Sequence, residues 1–187
     1  MADGLYYLDA RNPWLTGDIG AVTLAATMKA LYTPSNFPVL GGNYFSFVGK
    51  KIRIELFGRF SSATAAANLQ FGVYYGNGSD ANGTSLATSG AVAQTTSQSN
   101  ISFYLQCNVT CRTVGSAGTL FVVGFALFNP AVMASTVTPM MIPASAPAAS
   151  GSVDLTTSNI ISVQALSSVT TGSPSMQIHD MSVIAQN

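Results

Sequence analysis

The chain has 187 residues, of which 48% are apolar and only 7% are charged, and its formal net charge is zero. A chain of this length can bury a large core without a disulfide scaffold, and it lacks the clustered cations that nucleic-acid binding needs. Ordinary globular proteins carry about 25% charged residues, and a free monomer with so few has little electrostatic protection against association. We therefore expect neighbouring subunits to cover much of the surface. The alternative is a free β-domain coated with Ser, Thr, Asn and Gln.

Residues 1–18 are predicted to form an extended arm before a single β-sandwich domain over residues 19–187. Tyr6, Tyr7 and Trp14 are of the residue types enriched in interface hot spots, so we expect the arm to contact a neighbouring subunit. Alternatively, these aromatics cap the open end of their own domain. The chain starts with acidic rather than basic residues, and no long apolar run follows. These features predict neither a secretory signal nor a membrane span.

The first clear strand patterns cover residues 52–60 and 69–75, where apolar and other side chains alternate. Basic residues at 50–59 are interleaved with Glu55, which is predicted to pair with them rather than to act as a catalytic acid. Lys50 and Lys51, at the start of this weak basic patch, are added to Tyr6, Tyr7 and Trp14 as candidate partner-binding residues.

Residues 76–83 are dense in Gly, Asn, Ser and Asp, which is typical of a loop or paired turns. The segment lacks the Gly-Lys-Ser/Thr ending of a phosphate-binding loop and the closing Glu of a calcium loop. No metal and no cofactor are expected.

A long hairpin is predicted where residues 103–112 alternate strictly and residues 119–128 are apolar on both faces. The first strand should face solvent on one side, whereas the second should be covered on both. Cys107 and Cys111 then point to the same face about 13 Å apart, too far for a disulfide, and are predicted to be buried free thiols.

Residues 160–166 and 176–185 are predicted to form a second hairpin, closed by residues 167–174. With about eight strands and no alternation of strands with helices, the fold class is all-β, an antiparallel β-sandwich that is jelly-roll-like. An immunoglobulin-like sandwich is less well supported, because no cysteine pair spans two sheets.

Catalytic patterns are nearly absent, so we expect no enzyme activity. The single histidine, His179, is followed by Asp180 on a predicted strand, where neighbouring side chains face opposite ways. No Gly-x-Ser-x-Gly elbow is present, and the few carboxylates do not suggest a glycosidase pair.

The strand texture at 52–60 and 69–75, Gly-Thr-Leu-Phe-Val at 118–122, and segments 161–164 and 176–185 resemble small virion proteins of tailed bacteriophages. The resemblance implies a jelly-roll-like capsid decoration, head-fibre or tail-associated subunit, commonly trimeric. It also implies a virion location after assembly in the host bacterial cytoplasm. We therefore expect a homotrimer that binds the major capsid protein or other virion subunits and stabilises the capsid shell, with no nucleic-acid or membrane partner. The alternative is a tail or baseplate adhesin that binds host carbohydrate through Tyr74, Tyr75 and the 76–83 loop.

Overall fold

A computed structural model describes residues 20–32, 36, 39–77, 80, 82–129 and 139–186. These residues form eleven β-strands and no α-helix. The predicted arm, with Tyr6, Tyr7 and Trp14, lies outside the described residues. The strands are β1 (Val22–Thr23), β2 (Lys29–Ala30), β3 (Lys51–Ser61), β4 (Ala67–Gly76), β5 (Thr84–Thr88), β6 (Val92–Gln94), β7 (Ile101–Thr113), β8 (Thr119–Phe128), β9 (Met140–Ile142), β10 (Ile160–Ser167) and β11 (Ser175–Gln186).

Two antiparallel sheets pack as a sandwich, which confirms the predicted fold class. The six-stranded sheet has the order β1-β11-β3-β7-β8-β9, and the five-stranded sheet has the order β2-β10-β4-β5, with β6 also paired to β4. The predicted count of about eight is low because four strands, β1, β2, β6 and β9, have only two or three residues each. Such short pieces carry too little alternation to be recognised.

The predicted hairpin between β7 and β8 is confirmed, with paired positions from Phe103 and Phe128 to Thr113 and Thr119. The predicted hairpin between β10 and β11 is wrong. β10 pairs with β2 and β4 in one sheet, whereas β11 pairs with β1 and β3 in the other. The connection 168–174 therefore crosses from sheet to sheet, as does the connection 62–66 between β3 and β4.

Because of these crossings, two pairs of consecutive strands are matched in opposite sheets. In one sheet β3 pairs with β11, and in the other β4 pairs with β10. This wrapping of both sheets around one core is consistent with a jelly-roll-like sandwich. The core includes an aromatic cluster in which Phe128 lies 5.5 Å from Phe103, 5.8 Å from Phe60 and 5.9 Å from Phe71, measured between ring centroids. Cys107 and Cys111 are buried and free, as predicted.

Candidate interaction surface

The outer face of the six-stranded sheet is the candidate interaction surface. Alternation along β3 buries Ile52, Ile54 and Leu56 in the core, and it directs Arg53 and Glu55 outward. The outward-facing positions align across the strands in rows. One row contains Asp180, Phe57, Tyr104 and Leu127, and the next contains Ser182, Glu55, Gln106, Phe125 and Met141.

Strand β8 makes much of this surface apolar. Its inward residues, including Leu120, Val122 and Ala126, are buried, whereas Phe121, Val123, Phe125 and Leu127 point outward. The prediction that β8 is covered on both sides is wrong for the described chain, because Leu127 is 39% exposed. An apolar pattern on both faces normally belongs to a strand buried on both faces.

An aromatic groove lies at one end of this surface. The Phe57 and Tyr104 rings are 4.4 Å apart between centroids, and Tyr104 is 6.2 Å from Phe125. A cavity of about 310 Å³ opens here, lined by Phe57, Ser102, Phe103, Tyr104, Leu127, Phe128 and Asn129. Phe57 is 51% exposed. Large exposed apolar side chains that adjoin one another mark interaction sites on protein surfaces.

A polar stripe centred on Glu55 borders the groove. Arg53 Nε lies 3.1 Å from Glu55 Oε1, which confirms the predicted pairing of Glu55 with a basic neighbour. Ser182 Oγ donates to Glu55 Oε2 at 3.1 Å, and the Tyr104 hydroxyl lies 3.2 Å from Glu55 Oε1. Burial, together with the charge of Glu55, raises the pKa of Tyr104. Within the stripe, the negative charge of Glu55 is therefore balanced by the positive charge of Arg53.

Lys50 and Lys51 do not join this groove. Lys50 Nζ lies 4.2 Å from the centroid of the Tyr44 ring and 5.8 Å from that of Phe47, and partial burial lowers its pKa. Lys51 is paired with Thr110, six positions before Phe57 along β3, or roughly 20 Å away. The role of both lysines in partner binding remains a prediction.

The residues considered for catalysis and for glycan binding lie in different sheets, with His179 and Asp180 on β11 and Tyr74 and Tyr75 on β4. A β-bulge between Ile178 and Asp180 interrupts the alternation of β11, so His179 and Asp180 are both exposed. The expectation that they face opposite ways is therefore wrong. Tyr75 is buried at 6% exposure, so it cannot serve as an exposed stacking platform.

The described residues contain no group of three or more His, Cys, Asp or Glu side chains that could hold a metal ion. Within the same part of the chain, no helix has the length and apolar character needed to cross a membrane.

No family model, no curated protein and no solved structure matches this chain.

The sequence indicated that β8 is apolar on both faces, but it did not show that β3, β7 and β8 bring Phe57, Tyr104 and Leu127 together on one surface. Met141, at 55% exposure, could not be assigned to this face from the sequence, because β9 has only three residues. The signal that the sequence offered was the apolar outer face of β8.

Proposed function

We propose that the chain is a structural subunit of a bacteriophage particle, most specifically a capsid decoration protein that oligomerises, binds the capsid shell and stabilises it. The observation that carries this proposal is the outer face of the six-stranded sheet. It combines exposed Phe57, Leu127 and Met141 with an internally compensated Arg53–Glu55 pair. A face of this kind suits contact with protein subunits.

The apolar character of this sheet face suits a subunit that reinforces the capsid shell. Burying apolar surface contributes about 25 cal/mol per Å² before the entropic cost of association is subtracted, so covering this sheet face favours each contact. Such contacts need no catalytic group and no cofactor. The resemblance to small virion proteins favours three copies in the oligomer, and the major capsid protein is the partner that a decoration role implies.

The test is co-sedimentation of the purified protein with empty bacteriophage capsids, with the full chain compared to a variant that lacks residues 1–14. We expect the full chain to sediment with capsids and to raise their melting temperature. If the arm carries the contact, the shortened variant loses binding and keeps its β-type circular dichroism spectrum. A full chain that ignores capsids at high protein concentration would contradict the decoration role.

A further inference from the structure

We propose that the outer face of the six-stranded sheet packs against the same face of a second copy of this chain, about a two-fold axis. The inference rests on the proposed function in taking the chain to be an assembling subunit, and it names the partner of one surface.

The area of the outer face is the first observation in favour of this contact. The sheet offers five adjacent strands, β11, β3, β7, β8 and β9, and its long strands have 10 to 13 residues. At ~3.3 Å per residue and ~4.8 Å between strands, this face measures about 35 by 24 Å, or roughly 800 Å². A stable protein interface buries about 800 Å² on each partner. The face of one copy is therefore large enough to hold another copy.

The apolar character of β8 on both faces is the second observation in favour of this contact. The outward residues Val123 and Phe125 are as apolar as the inward residues Leu120 and Val122, yet only the inward ones are covered by the other sheet. A second sheet packed on the outer face covers β8 on both faces, as its apolar sequence predicts. Sheets pack face to face at about 10 Å, with strands within about 30° of alignment.

A two-fold contact requires a face that is complementary to itself. We consider an axis in the plane of the interface, across the strands, between the row of Arg53 and the row of Glu55. This rotation places each strand over the same strand of the second copy, and the two strands run in opposite directions. Arg53 then lies over Glu55 of the second copy. The compensated pair then becomes a four-charge arrangement with alternating signs.

The same rotation matches the apolar positions on β8. Val123 comes to lie over Phe125 of the second copy, because these two residues are in the rows on either side of the axis. Leu127 comes to lie over Phe121, because these two are one outward-facing row further from the axis on either side. Phe57 comes to lie over Lys51 of the second copy, a cation above an aromatic ring. On β8 apolar residues therefore meet apolar residues, and Arg53, Glu55 and Lys51 each meet an opposite charge or a ring. Asp180, at the β11 side, comes to lie over the polar side chain of Gln186.

The test is the molecular mass measured by light scattering for the full chain and for two glutamate variants. Leu127→Glu places a charge within the contact, against Phe121 of the second copy, whereas Val48→Glu places it at another exposed position, 61% exposed and outside the face. We expect an even number of copies for the full chain, which is six if two of the trimers favoured above pair through this face. Leu127→Glu should halve the mass, from two copies to one or from six to three, and Val48→Glu should leave it unchanged.

A second face variant guards against misfolding. If Leu127→Glu loses its cooperative thermal transition, Met141→Glu serves instead, because Met141 is 55% exposed and lies at the sheet edge on β9. A full-length mass of one or three copies overturns the inference, as does a mass that neither folded face variant changes.

Capsid sedimentation of the folded face variant separates this inference from the proposed function. A halved mass with retained capsid binding supports the face-to-face contact and leaves the decoration role standing. If the variant loses capsid binding while its mass equals that of the full chain, the capsid occupies the face. That result overturns this inference and supports the proposed function.

Discussion

Asp80 shows how one carboxylate can hold a loop in place. Its Oδ2 atom lies 2.7 Å from Lys29 Nζ, and its Oδ1 atom accepts a 2.8 Å hydrogen bond from the backbone amide of Ala30. Partial burial alone would raise the pKa of Asp80, but the hydrogen bonds from Lys29 and Ala30 and the charge of Lys29 lower it. The sequence placed Asp80 in a turn without indicating its partners, because Lys29 is 51 residues away.

We expect Asp80→Asn to lower the free energy of unfolding by about 1 kcal/mol at neutral pH, since both partners are partly exposed. Because the folded pKa is depressed, this stabilisation is present above the ordinary aspartate pKa of 3.8 and is lost as the pH falls through the folded pKa. Urea unfolding at pH 7 and at pH 3 measures the difference, which should shrink at pH 3.

The matched control is Asp154→Asn. The Asp154 carboxylate accepts hydrogen bonds from the backbone amide and the hydroxyl of Thr156, only two residues away, and should stabilise the fold less. Equal effects of the two substitutions would contradict the anchoring role of Asp80.

The two cysteines should resist thiol reagents in the folded protein. Burial raises the pKa of Cys107 to about 12 and also raises that of Cys111, so little thiolate forms at pH 8. We expect a chromogenic disulfide reagent to titrate fewer than one thiol per chain in buffer and two in concentrated urea. Rapid reaction of a thiol without denaturant would show that the core opens more readily than this packing implies.

At the scale of the element, strands β3 and β11 meet at a position that admits only glycine. Gly58 pairs with Ile178 next to the bulge at His179, and an added Cβ would clash with the Gln177 carbonyl oxygen and would lie 2.8 Å from Phe103 Cε1. The bulge and the glycine together let the longest pairing of the sheet bend around the aromatic core.

Gly58→Ala should therefore destabilise the fold by about 1–3 kcal/mol through overpacking, measured by thermal or urea unfolding. Gly151→Ala is the matched control, because an added Cβ there has no atom within 4 Å. The explanation fails if the two variants unfold at the same urea concentration.

At the scale of the whole molecule, association should depend on apolar contact rather than on charge. Among the described residues, Lys29 forms an ion pair with Asp80, and Arg53 forms one with Glu55. At 1 M salt the Debye length falls to about 3 Å, which screens exposed charges, whereas sulfate strengthens apolar burial.

We therefore expect the mass measured by light scattering to persist in 1 M sodium chloride and to resist dilution better in sodium sulfate. The comparison of the two salts at equal ionic strength controls for screening. Dissociation in sodium chloride would indicate that the Arg53–Glu55 stripe, rather than β8, holds the copies together.

The sequence alone determined the β class, the strands at 52–60, 69–75, 103–112 and 119–128, and the two buried thiols, because alternation is a local property that pleating imposes. It could not determine which strands are neighbours. The nesting of β3 with β11 and of β4 with β10, the bulge that exposes both His179 and Asp180, and the alignment of Phe57, Tyr104 and Leu127 in one row all arise from pairing between distant residues. Period-two patterning fixes which face a side chain takes, and only the tertiary structure decides what that face meets.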